Sequence, residues 1–83
     1  EVDPGFADPI ETLMTIWSAG AALALRSMGE AERARMDPGL VAVAEAGERV
    51  PGAAYVDALL NQRNALAHLM AQFHARFDLL LTP

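Results

Sequence analysis

Few side chains in this 83-residue chain can do chemistry, and their spacing limits what they can do together. His68 and His74 stand six residues apart, about 240° around a helix, so they cannot share a metal ion as an i, i+4 pair does. They are expected to be solvated or peripheral. Glu45 and Glu48 lack a spaced partner that would make an acid/base pair, and they read as surface charge. Ser18 and Ser27 are the only serines, and the chain has neither lysine nor cysteine. A serine nucleophile needs a base to take its proton and donors for the oxyanion, and no Gly-rich nucleophile or phosphate loop occurs here. No catalytic residue, metal ligand or cofactor site is therefore expected.

Arg63 is more informative, because it stands in the apolar row Val56, Leu59, Arg63, Leu66, Met70. A guanidinium there must find a carboxylate or carbonyls, or extend its stem over apolar surface with its head in water. A structural anchor is the expected role. Trp17 could line a pocket, but a Trp in a helical apolar stripe more often belongs to a core.

These residues are positioned by helices. Asp8-Pro9 reads as a cap followed by proline at the first helical position, and an apolar helical pattern runs from Ile10 to Met28. Its expected inner face is Ile10, Leu13, Met14, Trp17, Ala21, Ala24 and Met28; its polar stripe is Glu11, Thr15, Ser18, Ala22 and Arg26. Gly20 is expected to admit a close neighbour and Gly29 to stop the helix. Glu30 to Met36 reads as a short exposed helical turn. Asp37-Pro38 opens a second capped helix that ends at Gly47. After the connector Val50-Pro51-Gly52, a long helix runs from Ala53 to about Phe77. Its polar stripe is Asp57, Asn61, Asn64, His68, Gln72 and Arg76, and its expected core face is Val56, Leu59, Leu60, Leu66, Met70, Phe73 and Phe77.

The run Phe77-Asp78-Leu79-Leu80-Leu81-Thr82-Pro83 differs from the rest. A short apolar stretch closed by Thr-Pro reads as a strand buried on both faces, and the chain supplies no second strand to pair with it. Leu79 to Pro83 is thus expected either to pair with another chain or to form no regular strand. The chain is mostly α, with three or four helices plus this terminal strand, and residues 1–83 read as a single helical segment of a larger protein.

The net charge is −5 and all six basic residues are arginine. With no basic cluster, neither a nucleic-acid backbone nor an anionic membrane surface is an expected partner. No apolar run approaches the roughly 18 residues of a membrane span, and a soluble, cytoplasmic protein is expected. A chain of this size buries only about 60% of its unfolded surface, so its apolar helix faces are candidates for self-association.

The run from Gln62-Arg63 through Phe73-His74-Ala75-Arg76-Phe77-Asp78-Leu79-Leu80-Leu81-Thr82-Pro83 resembles the amidase signature family, in which an Arg-bearing helix precedes an aromatic-Asp-hydrophobic-Leu-hydrophobic-Thr-Pro strand in the C-terminal half. Val2-Asp3-Pro4, the Trp-bearing helix and Asp37-Pro38 with its short helix follow in the same order. The resemblance implies an α/β parent with a mixed sheet between helical layers, hydrolysing or transferring amide groups through a serine, a second serine on a cis peptide and a lysine. No position here matches those catalytic motifs. The resemblance places only Thr82 and Pro83 toward the substrate-pocket side of the sheet. It implies a non-catalytic segment whose partner is the remainder of the amidase domain. The alternative is an autonomous helical interaction or dimerisation module.

Overall fold

In the computed structural model, which describes residues 2–82, the chain forms helices joined by short turns. They are α1 (Ile10–Arg26), α2 (Glu30–Arg33), α3 (Pro38–Glu48) and a long helical rod made of α4 (Gly52–Asp57), a π-helical turn (Ala58–Gln62) and α5 (Arg63–His74). Asp37 caps α3 as expected, while α1 starts one residue later than expected, with Pro9 rather than Asp8 at the cap position. Asp8 Oδ1 accepts the Ile10 N–H at 3.0 Å, and Asp37 Oδ1 accepts the Gly39 N–H at 2.7 Å. Each carboxylate thereby satisfies a donor that the first helical turn leaves without a partner. At the other end of α1, Arg33 Nη2 donates to the Leu25 carbonyl at 2.6 Å, so α2 caps the helix that precedes it.

α1 is the central element, flanked by α3 on one side and by the first half of the rod on the other. Val50 shares a groove with Met14, Gly47 abuts Ser18, and Ala44 packs with Ala21 and Leu25, so α3 runs antiparallel to α1. Met28, Met36, Leu40, Val41 and Val43 close over that small core. The rod is antiparallel to α1 as well: Thr12 is bonded to Gln62, while Ala19 and Gly20 lie near Gly52 and Tyr55. Among the described residues, no helix is long and apolar enough to cross a membrane.

The faces that pack differ from those the hydrophobic pattern indicates. The buried positions of α1 are Ser18, Ala21, Ala22 and Leu25, two of which belong to the expected polar stripe. Ile10, Leu13 and Trp17, expected inside, are half exposed. The reason is size. Ser18 and Gly47 let the two backbones approach until a Cβ on Gly47 would overlap the Ser18 carbonyl, a separation that a row of Leu or Trp would prevent. Gly47, expected as the stop of α3, is its penultimate residue and lies at the closest crossing with α1. Gly20, expected at a close approach, has nothing within 4 Å of where its Cβ would stand.

The long rod shows the same rotation. Ala58 is its most buried residue, at 1% exposure, while Val56 and Leu60 lie open. Small Ala58 takes the contact with α1, which turns the apolar row containing Arg63 to the flank.

The chain is open for its mass. Its accessible surface is 6388 Å², whereas a compact 8.9-kDa monomer exposes about 4,800 Å². Its radius of gyration is 16.3 Å against about 12 Å for a compact chain of this length. The terminal strand expected from the sequence is corrected: among the described residues the C-terminal run forms no strand, because no second strand is there to pair its backbone.

Candidate functional site

The π-helical turn holds the densest polar cluster. Residues five apart lie about 140° from each other on an α-helix and cannot meet. The wider i→i+5 turn brings Gln62 under Asp57, so Gln62 Nε2 donates to Asp57 Oδ2 at 2.7 Å while Asn61 Nδ2 donates to Oδ1 at 2.8 Å. Thr12 Oγ1 then donates to Gln62 Oε1 at 2.6 Å, tying the rod to α1. Every carboxylate oxygen of Asp57 is engaged, and the Thr12 hydroxyl is bonded to an amide oxygen rather than to a base that could activate it. The cluster's work is structural. Sequence periodicity gave no sign of the π turn; Asp57 with Gln62 five residues on is the pair that could have pointed to it.

The second candidate is an apolar groove of about 470 Å³ lined by Val2, Pro4, Phe6, Phe73, Phe77, Leu79, Leu80, Leu81 and Thr82. Phe73 and Phe77 form its floor, with ring centroids 5.0 Å apart, and the non-helical segments on either side of the helices form its walls. Asp3 Oδ1 accepts the Gly5 N–H at 2.8 Å in a turn where Gly5 has φ +88°, a conformation that favours glycine. This turn sets the direction in which Pro4 and Phe6 enter the groove. Thr82 is among its lining residues, whereas Pro83 lies outside the described residues. The lining holds no acid, base or nucleophile besides the Thr82 hydroxyl, so the groove can bind apolar groups but has no means of activating them.

The remaining candidates are dispersed. Arg63 is exposed, with no hydrogen bond or ion pair among the described residues, so it anchors nothing within this chain. The inner-face placement expected for it is corrected by the Ala58 contact, which turns that row outward. Ser18 is buried and its Oγ faces the Thr15 carbonyl at 3.4 Å, too weakly placed and too enclosed for a nucleophile. Ser27 bonds the Ala24 carbonyl at 3.5 Å. His68 pairs with Gln72 at 3.3 Å and His74 stands 3.2 Å from the Phe77 carbonyl, edge-on to the Phe73 ring, so the two are peripheral. Glu48 meets Arg26 through both carboxylate oxygens, at 3.3 and 3.2 Å. That hydrogen bond, and then the opposite charge, holds the Glu48 carboxyl below the usual carboxylate range and raises Arg26. Trp17 is half exposed on the open side of α1. Among the described residues, no three His, Asp or Glu side chains come together as a metal site would need.

The chain matches no family model, no curated protein and no solved structure.

Proposed function

We propose that this chain is a non-catalytic helical segment from the C-terminal half of an amidase-type hydrolase. The parent would act on carboxylic amides, at C–N bonds other than peptide bonds, with its Ser/cis-Ser/Lys residues elsewhere. One observation carries the reading: the non-helical segments Val2–Phe6 and Leu79–Thr82 lie on one apolar groove over Phe73 and Phe77. A helical layer that leaves a sheet and returns to it has that form, and the apolar terminal run then gains the strand partners it lacks here. Arg63, exposed here, would find its carboxylate or carbonyl partners in the remainder of the domain, and Thr82 with Pro83 would lie on the substrate side. A cytoplasmic enzyme accords with the acidic, cysteine-free composition.

The test is the coding sequence on either side and the activity of its full product. A Gly/Ser-rich segment with an upstream lysine, and release of ammonia or amine from simple amides by the long product but not by the 83-residue chain, is the expected outcome. A reading frame without those segments, or amide hydrolysis by the short chain alone, sinks the proposal. The second reading, a helical interaction module, is favoured by a different observation, the open stripe on α1.

A further inference from the structure

We propose that Met28 and Met36 form a paired oxidation site, at which a peroxide releases the segment joining α1 to α3 from the core beneath it. Residues 27–37 cross from the end of α1 to the start of α3 through α2, a four-residue helix that buries none of its residues. Along that whole segment only Met28 and Met36 are partly shielded from solvent; every other residue is exposed. The two stand toward its opposite ends, and both pack against the buried cluster of Ala21, Leu25 and Ala44. What fastens the middle of the segment to the core is thus a pair of thioethers and the bond from Arg33 Nη2 to the Leu25 carbonyl.

Sulfur makes this fastening conditional. The chain has no cysteine, so its methionines carry its only sulfur, and a partly exposed thioether is within reach of a small oxidant. With hydrogen peroxide, a sulfur lone pair attacks one oxygen and the S–O bond forms as the O–O bond breaks. The departing hydroxide takes the proton of the transferred oxygen and leaves as water, while sulfur gives up the electron pair that the peroxide gains. The sulfoxide is polar and accepts hydrogen bonds, but the cluster it packs on has only apolar side chains and offers it no donor. It must turn to water, and the segment lifts with it. Met14 and Met70 are also partly exposed, but neither packs against that cluster, so the same chemistry there leaves the segment closed. Methionine sulfoxide reductases remove the oxygen again, so the opening is reversible. The inference does not depend on the amidase reading.

The experiment treats the 83-residue chain with hydrogen peroxide, locates the added oxygen by mass spectrometry of its peptides, and follows digestion by trypsin, which must open the segment to cleave after Arg33 or Arg35. Oxygen is expected on Met28 and Met36, with cleavage after Arg33 and Arg35 at least about tenfold faster and cleavage after Arg63 in the rod unchanged, since a local opening frees only its own bonds. Treatment with the reductase should restore the slow rate. Met28→Leu with Met36→Leu keeps the packing volume and removes the sulfur, so this variant should digest slowly with or without peroxide. Met14→Leu with Met70→Leu should respond as the parent does. Should the first pair of substitutions unfold the chain, reversal by the reductase decides alone. Peroxide that leaves Met28 and Met36 unmodified, oxidation there with no change in cleavage, or fast cleavage that persists after reduction would overturn the proposal. A response that survives in Met28→Leu with Met36→Leu, or is lost in Met14→Leu with Met70→Leu, would overturn it equally. So would the same acceleration after Arg63, which marks general unfolding and not release of the segment.

Discussion

Replacing Gly47 by alanine tests the central packing claim, because two effects of opposite sign act at that position. Alanine is favoured over glycine within a helix by about 1 kcal/mol, so propensity alone predicts a more stable protein. The structure predicts the reverse. A Cβ on Gly47 would lie inside the contact distance of the Ser18 carbonyl carbon and oxygen, and 2.9 Å from the Ala19 nitrogen. All three are backbone atoms of α1, so no side-chain rotation relieves the clash. α1 and α3 would have to separate, loosening Ala21, Leu25 and Ala44, the cluster that holds them together. Overpacking of this kind costs about 1–3 kcal/mol, and more where the neighbour is rigid. Because the neighbouring atoms are backbone the upper end applies, and the net loss of about 2 kcal/mol after the propensity gain should lower the melting temperature by roughly 8–16 °C, since 1 kcal/mol corresponds to about 4–8 °C in a domain of this size. Gly20→Ala is the control: its Cβ meets nothing, and it should raise the melting temperature through propensity alone. Both are read by circular dichroism at a concentration where the chain is monomeric. A Gly47→Ala variant as stable as the parent would refute the close crossing of α1 and α3.

Asp37→Ala removes the cap of α3 and should cost about 1 kcal/mol, seen as a lower melting temperature, whereas Asp37→Asn should cost little. Arg63→Ala should leave the stability of the 83-residue chain unchanged, because the guanidinium is exposed; in a longer amidase the same change should lower the melting temperature, and an effect in the short chain would contradict its placement. Glu48 gives a pH dependence: its folded pKa is depressed, so its contribution is present above the unfolded carboxylate value and is lost as pH falls through the folded value. Because both partners are exposed the effect should be small, should fade with added salt, and should vanish in Glu48→Gln, as a thermal melt series in acid would show.

Helix number, order and starts could be read from the sequence because they depend on local chemistry. Asp8 and Asp37 act on backbone donors two residues away, and proline at the following position fixes the chain direction. Which faces pack was less legible. Hydrophobicity ranks Trp17 and Leu13 above Ser18 and Gly47, but helix crossings are also governed by how near two backbones can come, and that depends on the smallest residues. The same blind spot moved Arg63 from the inner row to the flank, since Ala58 and not Val56 or Leu60 faces α1. The π turn was illegible for another reason: its i→i+5 contact between Asp57 and Gln62 has no counterpart in a 3.6-residue period.

The small contact faces leave an imbalance that the chain cannot correct alone. Ile10, Leu13, Trp17, Leu23, Val56 and Leu60 are each half or more exposed. Full burial of a side chain of this kind stabilises by about 1.5–3 kcal/mol, so leaving six of them half open forgoes several kcal/mol, comparable with the roughly 4–12 kcal/mol by which a domain of this length is stable. Whatever covers those residues therefore decides how stable the protein is. If a second copy covers α1, folding is linked to association and the melting temperature rises with protein concentration. If a longer chain covers it, the melting temperature of that longer product is high and independent of concentration, while the 83-residue chain melts low at every concentration. A dilution series of melts separates the two, and a short chain that melts high without any concentration dependence would show that the open faces need no cover at all.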